Sequence, residues 1–87
     1  MNFEYDPAKS AANKEKHGID FEEAKTLWLD EERLQIRAKS EGEPRFALIA
    51  QRDGKIWSAF FTLREGNIRI ISVRRARENE RKLYDES

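Results

Sequence analysis

The sequence has no cysteine and only one histidine, His17, among its 87 residues. The absence of cysteine excludes a disulfide framework and a thiolate zinc site, and one histidine is too few for the usual zinc clusters. No apolar run approaches the roughly 20 residues that a membrane-spanning helix needs, and the N-terminus shows no signal-peptide pattern. We therefore expect a cytoplasmic protein with no metal, no other cofactor and no membrane partner.

Apolar residues are scarce as well, at 38% of the chain against 39% for charged residues. Such a composition would permit disorder if the apolar residues were scattered, but they are grouped in periodic segments. The length predicts one domain, residues 1–87, with a thin core. A core of that size is compatible with an obligate partner or a homodimer.

The charges are unevenly distributed although the formal net charge is +0. Acidic residues are concentrated in residues 20–32 and basic residues in residues 69–82. A net charge of zero argues against a generic nucleic-acid coat, but a local basic cluster can still bind phosphate. The acidic and basic segments could face different partners, or they could face each other.

Two helices are predicted in the N-terminal third of the chain. The first begins at Asp6 and Pro7, because aspartate caps free amides and proline suits the first helical position. It ends near His17, where Gly18 supplies the left-handed residue that often follows a helix. Its thin apolar side consists of Ala8, Ala11 and Ala12.

Asp20 begins the second helix with a complete N-terminal signature. Glu23 completes a capping box, and Ile19 and Ala24 can form a hydrophobic staple. The short link between the helices predicts a packed hairpin. Four residues share one helical face, which we assign to the core: Phe21, Ala24, Leu27 and Trp28.

From residue 33 the apolar pattern alternates, which is typical of strands. Strands are predicted at residues 33–37, 45–52, 55–64 and from 68 onwards, with a candidate edge strand at residues 3–5. Asp53-Gly54 favours a tight hairpin, and a final helix follows from Glu78. The expected fold is α+β: two N-terminal helices on a mainly antiparallel sheet of four or five strands, plus a C-terminal helix.

The turns predict which side chains meet on the sheet. Two-residue loops at both hairpins would align Arg45, Thr62 and Arg69 in one row, with Arg64 on the same face. A three-residue loop at residues 65–67 would flip the last strand and break this row. Regular alternation along the last strand would put Arg69 and Arg75 on one face and Arg74 on the other.

Two blocks of sequence together resemble a known family. The first comprises residues 3–9, Asn13, residues 16–19 and residues 21–24. The second comprises residues 62–64 and 69–76, followed by Glu80 and Tyr84. On these motifs the chain resembles the BrnT family of bacterial toxins, with a tyrosine at Tyr5 where tryptophan is common and a valine at Val73 where alanine is common.

The resemblance implies a fold similar to the RelE-type ribonuclease toxins. It also implies a toxin that cleaves mRNA and blocks translation. The implied partner is a BrnA-type antitoxin with a ribbon-helix-helix DNA-binding end. The toxin would then contact DNA only indirectly, through that antitoxin.

Metal-free RNA cleavage needs a base, an acid and cations that stabilise the phosphorane. The candidate catalytic residues are Arg64, Arg74, Glu80, Tyr84 and His17. The candidate phosphate-binding residues are Arg69, Arg75, Lys14, Lys16 and Arg45. Arginine suits this role because its planar fork matches phosphate oxygens.

Several candidates also have a purely structural interpretation. His17 precedes Gly18 at a helix C-terminus, where a positive charge is favoured by the helix dipole. Glu80 can simply pair with Arg77 or with a sheet arginine, and Tyr84 can be half buried. The alternative function is therefore a non-catalytic module that binds nucleic acid or an acidic antitoxin segment through its arginines.

Overall fold

A computed structural model describes all 87 residues and shows three α-helices and one five-stranded sheet. The elements in chain order are β1 (Phe3–Glu4), α1 (Pro7–His17), α2 (Phe21–Ala24), β2 (Leu34–Ala38), β3 (Arg45–Arg52), β4 (Lys55–Arg64), β5 (Asn67–Arg75) and α3 (Glu78–Glu86). A 3-10 helix, Lys25–Leu29, extends α2. None of the helices is long and apolar enough to cross a membrane.

The sheet has the strand order β1-β5-β4-β3-β2. β1 runs parallel to β5, and the other neighbours are antiparallel. This confirms the α+β class, the edge strand and the predicted bounds of β3 and β4. Both hairpins have two-residue loops, since Arg52 pairs with Lys55 and Arg64 pairs with Asn67.

The predicted caps begin and end the helices as expected. Asp6 accepts a hydrogen bond from the amide of Ala8 at 2.9 Å, and Gly18 follows α1 with φ of 81°. Asp20 and Glu23 form the predicted capping box, with the amide of Glu23 donating to Asp20 at 2.7 Å. These local signals fix where the two helices start and how sharply the chain turns between them.

The core lies between the N-terminal helices and one face of the sheet, which we call the inner face. The four residues assigned to the second helix's apolar face, Phe21, Ala24, Leu27 and Trp28, are all buried. They pack against alternating strand residues, namely Leu48, Ala50, Trp57, Ala59, Phe61, Ile68, Ile70 and Val73. Leu63, the next-to-last residue of β4, alternates onto the same face but is 53% exposed.

The prediction for the buried side of α1 was wrong. Ala8, Ala11 and Ala12 are exposed, and the residues that α1 buries are Ser10 and Asn13. The amide of Phe21 donates to the Ser10 hydroxyl at 2.9 Å. Helix α1 is therefore attached to its neighbours by buried hydrogen bonds rather than by an apolar stripe.

Asn13 makes three of these buried bonds. Its side-chain nitrogen donates to the carbonyl of Ile19 at 2.7 Å and to the carbonyl of Val73 at 2.9 Å. Its side-chain oxygen accepts from the amide of Val73 at 3.1 Å. One side chain thus satisfies both backbone groups of β5 beyond the short strand β1, where the sheet edge would otherwise be unpaired.

A β-bulge in β5 overturns the predicted division of its arginines. Opposite the step from Phe60 to Phe61, β5 advances from Ser72 to Ile70, so Ile71 is an extra residue. An extra residue reverses the face of every side chain beyond it. Arg74 therefore pairs with Ser58, and it shares a face with Arg69 rather than with Arg75.

Helix α3 covers part of the outer face of the sheet. Beneath it and along its flank, Ala47, Ile49 and Ser58 are almost fully buried although they point away from the main core. Ala76, just before the helix, is also buried. No helix covers the rest of the outer face, which comprises the end of β4 and the start of β5. This uncovered part carries the arginine row.

Candidate nucleic-acid interface

The outer face holds two groups of residues, each built around arginine. The first, which we call the Arg74 cluster, consists of Ser58, Phe60, Arg74 and Glu80. The second, which we call the Arg69 pocket, is lined by Lys9, Glu41, Glu43, Arg45, Thr62, Arg64, Arg69 and Ile71. Ser58 and Thr62, which pair with Arg74 and Arg69, are four residues apart on β4, so the two groups are about 13 Å apart.

Glu80 fixes the position of Arg74. The two guanidinium nitrogens Nη1 and Nη2 donate to the two carboxylate oxygens at 2.8 and 2.9 Å. The Ser58 hydroxyl and the amide of Arg77 also donate to Glu80, at 2.9 and 2.8 Å. This bond to Arg77 caps the start of α3, so the helix end and the arginine are held by the same carboxylate.

The surroundings of Glu80 keep its carboxyl ionised. Burial alone would raise the pKa, but the hydrogen bonds from Arg74, the Arg77 amide and Ser58 outweigh it and lower the pKa to about 2. A carboxylate with so low a pKa is a weak base near neutral pH. The geometry therefore suits Glu80 for holding Arg74 in place.

Arg74 keeps part of its bonding capacity free. A guanidinium has five N–H donors, and three bonds are made, two to Glu80 and one to the carbonyl of Arg75. The difference leaves two donors for a ligand. The side chain is 23% exposed and lies over the ring of Phe60 at 5.0 Å, so a phosphate can reach a cation that is already oriented.

The Arg69 pocket confirms the predicted arginine row. Thr62 pairs with Arg69, and the pairing of Phe46 with Phe61 sets Arg45 opposite Thr62 in the same register. Arg64 lies two residues further along the same face. The pocket has a volume of about 290 Å³, which is room for a phosphate group and part of a nucleotide.

Two acids enter the Arg69 pocket from the loop before β3. Glu43 pairs with Arg64 at 3.3 Å, and the Thr62 hydroxyl and the Arg64 guanidinium together lower the pKa of Glu43. Both partners of this ion pair are substantially exposed, at 51% and 44%. An exposed pair of this kind contributes little to stability and is readily exchanged for another anion.

Tyr84 is hydrogen-bonded to Asp30, an acid that lies 54 residues earlier in the chain. Its hydroxyl donates to Asp30 at 2.6 Å, and Asp30 also accepts from the amides of Gln51 and Glu32. Burial and the neighbouring Asp30 raise the pKa of Tyr84 to about 12. The phenol is therefore a weak acid in this environment, and it anchors α3 to the loop before β2.

We expect Tyr84→Phe to lower the free energy of unfolding by about 1–2 kcal/mol, because a hydrogen bond to a carboxylate is lost. Urea denaturation measures this change. If Tyr84 only anchors α3, RNA cleavage by the folded variant will match that of wild type. A folded variant that had lost cleavage would instead assign the phenol to the reaction.

Lys14, Lys16 and His17 of α1 do not line the Arg69 pocket, unlike Lys9 of the same helix. Lys14 pairs with Glu23 at 2.7 Å, on the side of α1 that faces α2. Lys16 is exposed, and His17 is half buried at the last position of α1, on the inner side of the sheet. Salt bridges of the acidic segment go to Lys14, Lys25 and Arg52 and not to the basic segment, residues 69–82.

Arg75 also lies away from the outer-face group. It pairs with Trp57, which belongs to the inner-face core, and its guanidinium is 5.6 Å from the centre of the Trp57 ring. The structure thus brings Arg45, Arg64 and Arg69 together and sets Arg74 on the same face.

A family model described as "Ribonuclease toxin, BrnT, of type II toxin-antitoxin system" matches residues 5–80. The chain belongs to the BrnT family. The members of this family are ribonuclease toxins of type II toxin–antitoxin systems, and such a system supplies an antitoxin partner. No curated protein sequence matches the chain.

Three residues that contact or support the candidate site were given no individual role in the sequence analysis, although Lys9 and Asn13 belong to the motif that carries the family resemblance. Ser58 bonds Glu80, Lys9 borders the Arg69 pocket, and Asn13 fixes the edge of β5. Ser58 and Asn13 are polar residues at buried positions of β4 and α1. A buried polar residue needs hydrogen-bond partners, so both can be recognised once the buried side of each element is known. Lys9 gives no such signal, because it is one lysine of several on α1.

Proposed function

We propose that this chain is an endoribonuclease toxin that cleaves mRNA without a metal ion and thereby blocks translation. The 2′-hydroxyl would lose its proton to a base and attack the adjacent phosphorus, giving a 2′,3′-cyclic phosphate, while the bond from phosphorus to the 5′-oxygen breaks and the leaving 5′-oxygen takes up a proton. Arg74 would stabilise the charge that develops on the reacting phosphate, whereas Arg64, Arg69 and Arg45, which lie together in the Arg69 pocket, would bind the flanking backbone. The observation that carries this proposal is the bulge at Ile71, which brings Arg74 to the face that carries the other three arginines.

Preorganisation is the physical reason why Arg74 is assigned to the reacting phosphate. Its guanidinium is held by Glu80 before any substrate binds, and it still has two free donors. Donors that are already oriented stabilise a transition state without reorganising during the reaction. In this proposal Glu80 positions Arg74, and Tyr84 positions α3.

His17 is the remaining candidate for proton transfer. Histidine is the one side-chain type that normally changes its charge near neutral pH. It lies at the end of α1 rather than beside Arg74, so direct transfer would require the RNA to reach around the sheet edge. Replacing it by glutamine and measuring the pH dependence of cleavage separates a proton-transfer role from a helix-capping one.

The partner in this proposal is a BrnA-type antitoxin with a ribbon-helix-helix domain. Its acidic or polar side chains would cover the outer-face arginines, since blocking the phosphate-binding groups silences the site directly. DNA would be contacted through the antitoxin, and two toxin chains could share one dimeric antitoxin. A structure of the complex with these arginines open to solvent would contradict this mode of inhibition.

The experiment that tests the function is cleavage of an RNA transcript by the purified protein in the presence of EDTA. We expect cleavage to persist with EDTA, and to fall about 100-fold or more in a folded Arg74→Ala variant, because an oriented cation at the reacting phosphate contributes roughly a few kcal/mol to the barrier. Arg33→Ala is a matched control, since Arg33 is exposed and belongs to neither group. Absence of cleavage by wild type would contradict the proposal.

The second candidate function is a binding module that does not cleave. It is favoured by the electrostatics of the two candidate proton donors and acceptors, since the pKa of Glu80 is about 2 and that of Tyr84 is about 12. Neither value suits proton transfer at neutral pH. RNA that is bound by wild type with EDTA present but stays intact would select this alternative.

A further inference from the structure

The Arg69 pocket contains a buried hydrogen-bonding group that has no partner in the chain. Thr62 is only 4% exposed, and its hydroxyl oxygen makes no hydrogen bond. A buried hydroxyl without a partner is unfavourable, so such groups usually have a role or bind a ligand. Thr62 borders the pocket directly, which places the unpaired hydroxyl where a ligand oxygen can meet it.

The charges around Thr62 specify an anion as that ligand. Four cationic side chains border the pocket, namely Lys9, Arg45, Arg64 and Arg69. Arg69 forms an ion pair with Glu4 of β1, with 3.6 Å between Nη1 and the carboxylate oxygen Oε1. A hydroxyl donor together with several guanidinium groups matches the oxygens of a phosphate.

In the free protein Glu43 lies in the Arg69 pocket, beside the cations that would bind a phosphate. Its carboxylate lies beside Arg64 and close enough to the Thr62 hydroxyl to have its pKa lowered, although the hydroxyl closes no hydrogen bond of good geometry. Glu43 belongs to the loop between β2 and β3, and its ion pair is exposed. A phosphate that bonds several cations and the hydroxyl at once would displace it.

We propose that the Arg69 pocket is a second phosphate subsite, separate from Arg74, in which the Thr62 hydroxyl donates to a backbone phosphate and which Glu43 occupies until RNA binds. This inference rests on the proposed function in taking RNA as the ligand. The subsite binds a phosphate about 13 Å from the one at Arg74. A substrate must therefore extend past the cleaved bond to gain full affinity.

Binding of a 2′-O-methyl RNA oligonucleotide tests the subsite, because this probe lacks the attacking hydroxyl and cannot be cleaved. We expect Thr62→Val to bind the probe about tenfold more weakly, since a hydrogen bond to a charged group is lost. Thr62→Ser keeps the hydroxyl and should bind like wild type. The same Thr62→Val change should raise the melting temperature by about 4 °C, because it removes an unpaired buried hydroxyl.

Two further variants test the charges of the subsite. Glu43→Gln should strengthen binding about threefold to tenfold, whereas Glu31→Gln, which removes the same charge from an exposed turn, should change it less than twofold. Arg45→Ala should reduce the slope of log affinity against log salt by about 0.7, as expected for the loss of one phosphate contact on a single strand. These measurements use anisotropy of the labelled probe.

The outcomes separate this subsite from the nuclease itself. Weaker probe binding by Thr62→Val, with an unchanged or higher melting temperature, supports the subsite even if wild type cuts no RNA. Equal binding by wild type, Thr62→Val and Glu43→Gln overturns the subsite even if wild type is an active nuclease. Failure of wild type to bind the probe overturns it as well.

Discussion

Replacement of Asn13 by alanine is expected to lower the free energy of unfolding by about 3–5 kcal/mol, which is a large part of the roughly 5–15 kcal/mol of a typical domain. The reason is the number of backbone groups that depend on this side chain. It bonds the carbonyl of Ile19 and both the carbonyl and the amide of Val73, all at buried positions. Truncation leaves these groups unpaired and opens a cavity.

Asn13→Asp separates the hydrogen bonds from the volume of the side chain. An ionised aspartate would direct negative oxygens at the carbonyls of Ile19 and Val73, so the neutral acid is favoured in the folded state. The pKa of this aspartate would therefore lie above its unfolded value. The variant should gain stability as the pH falls through that raised value, and lose it as the pH rises.

Urea denaturation of wild type, Asn13→Ala and Asn13→Asp at several pH values measures both effects. Asn79→Ala is the matched control, because Asn79 is exposed and makes no side-chain hydrogen bond. Its stability should stay within about 0.5 kcal/mol of wild type or rise slightly. A similar small change in Asn13→Ala would show that α1 is held by other contacts.

Acid should destabilise the protein mainly through Glu80. Its folded pKa of about 2 is below the ordinary glutamate value of 4.5, so ionised Glu80 stabilises the folded state. This contribution is complete above pH 4.5 and is lost as the pH falls towards 2. A shift of that size corresponds to about 3 kcal/mol, and both partners of the ion pair are mostly buried, at 12% and 23% exposed.

The measurement is the free energy of unfolding from pH 6 to pH 2 for wild type and Glu80→Gln. The difference between the two curves isolates Glu80 from the other acids whose pKa values are lowered, which include Asp30 and Glu23. Wild type should lose about 3 kcal/mol more than the variant over this range. Parallel curves would contradict the role assigned to the Arg74–Glu80 pair.

The positions of the helices and strands could be predicted because local chemistry determines them. Asp6, Gly18 and Asp20 act on the backbone next to them, and the tight turn at Asp53-Gly54 sets a register that extends along two strands. The same register predicted that Arg45, Thr62 and Arg69 would align. These inferences needed only nearest neighbours and the alternation of a strand.

The details that failed depend on contacts between distant parts of the chain. β5 contains no glycine, which would have indicated a bulge at Ile71. Apolar residues also occur on both faces of β5, so the alternation of apolar and polar residues could not locate the bulge. The buried role of Asn13 was missed, although the residue belongs to the family motif, because periodicity counts apolar residues and this buried contact is polar. The sequence offered Arg77 or a sheet arginine as the partner of Glu80, and the structure shows the sheet arginine Arg74; choosing it beforehand required the direction of α3, which the sequence near Ala76 does not specify.

The most direct test of the account compares Arg74→Lys with Arg75→Lys in RNA cleavage with EDTA present. The two substitutions are chemically identical and adjacent, so they lie on opposite faces of β5, and the bulge determines that Arg74 is the one on the outer face. Lysine keeps the charge and cannot reproduce the bidentate geometry at Glu80, so Arg74→Lys should lose about 100-fold in rate. Arg75→Lys should retain its contact over Trp57 and stay within about twofold of wild type. A loss in Arg75→Lys equal to or greater than that in Arg74→Lys would contradict the assignment of the outer face as the site of cleavage.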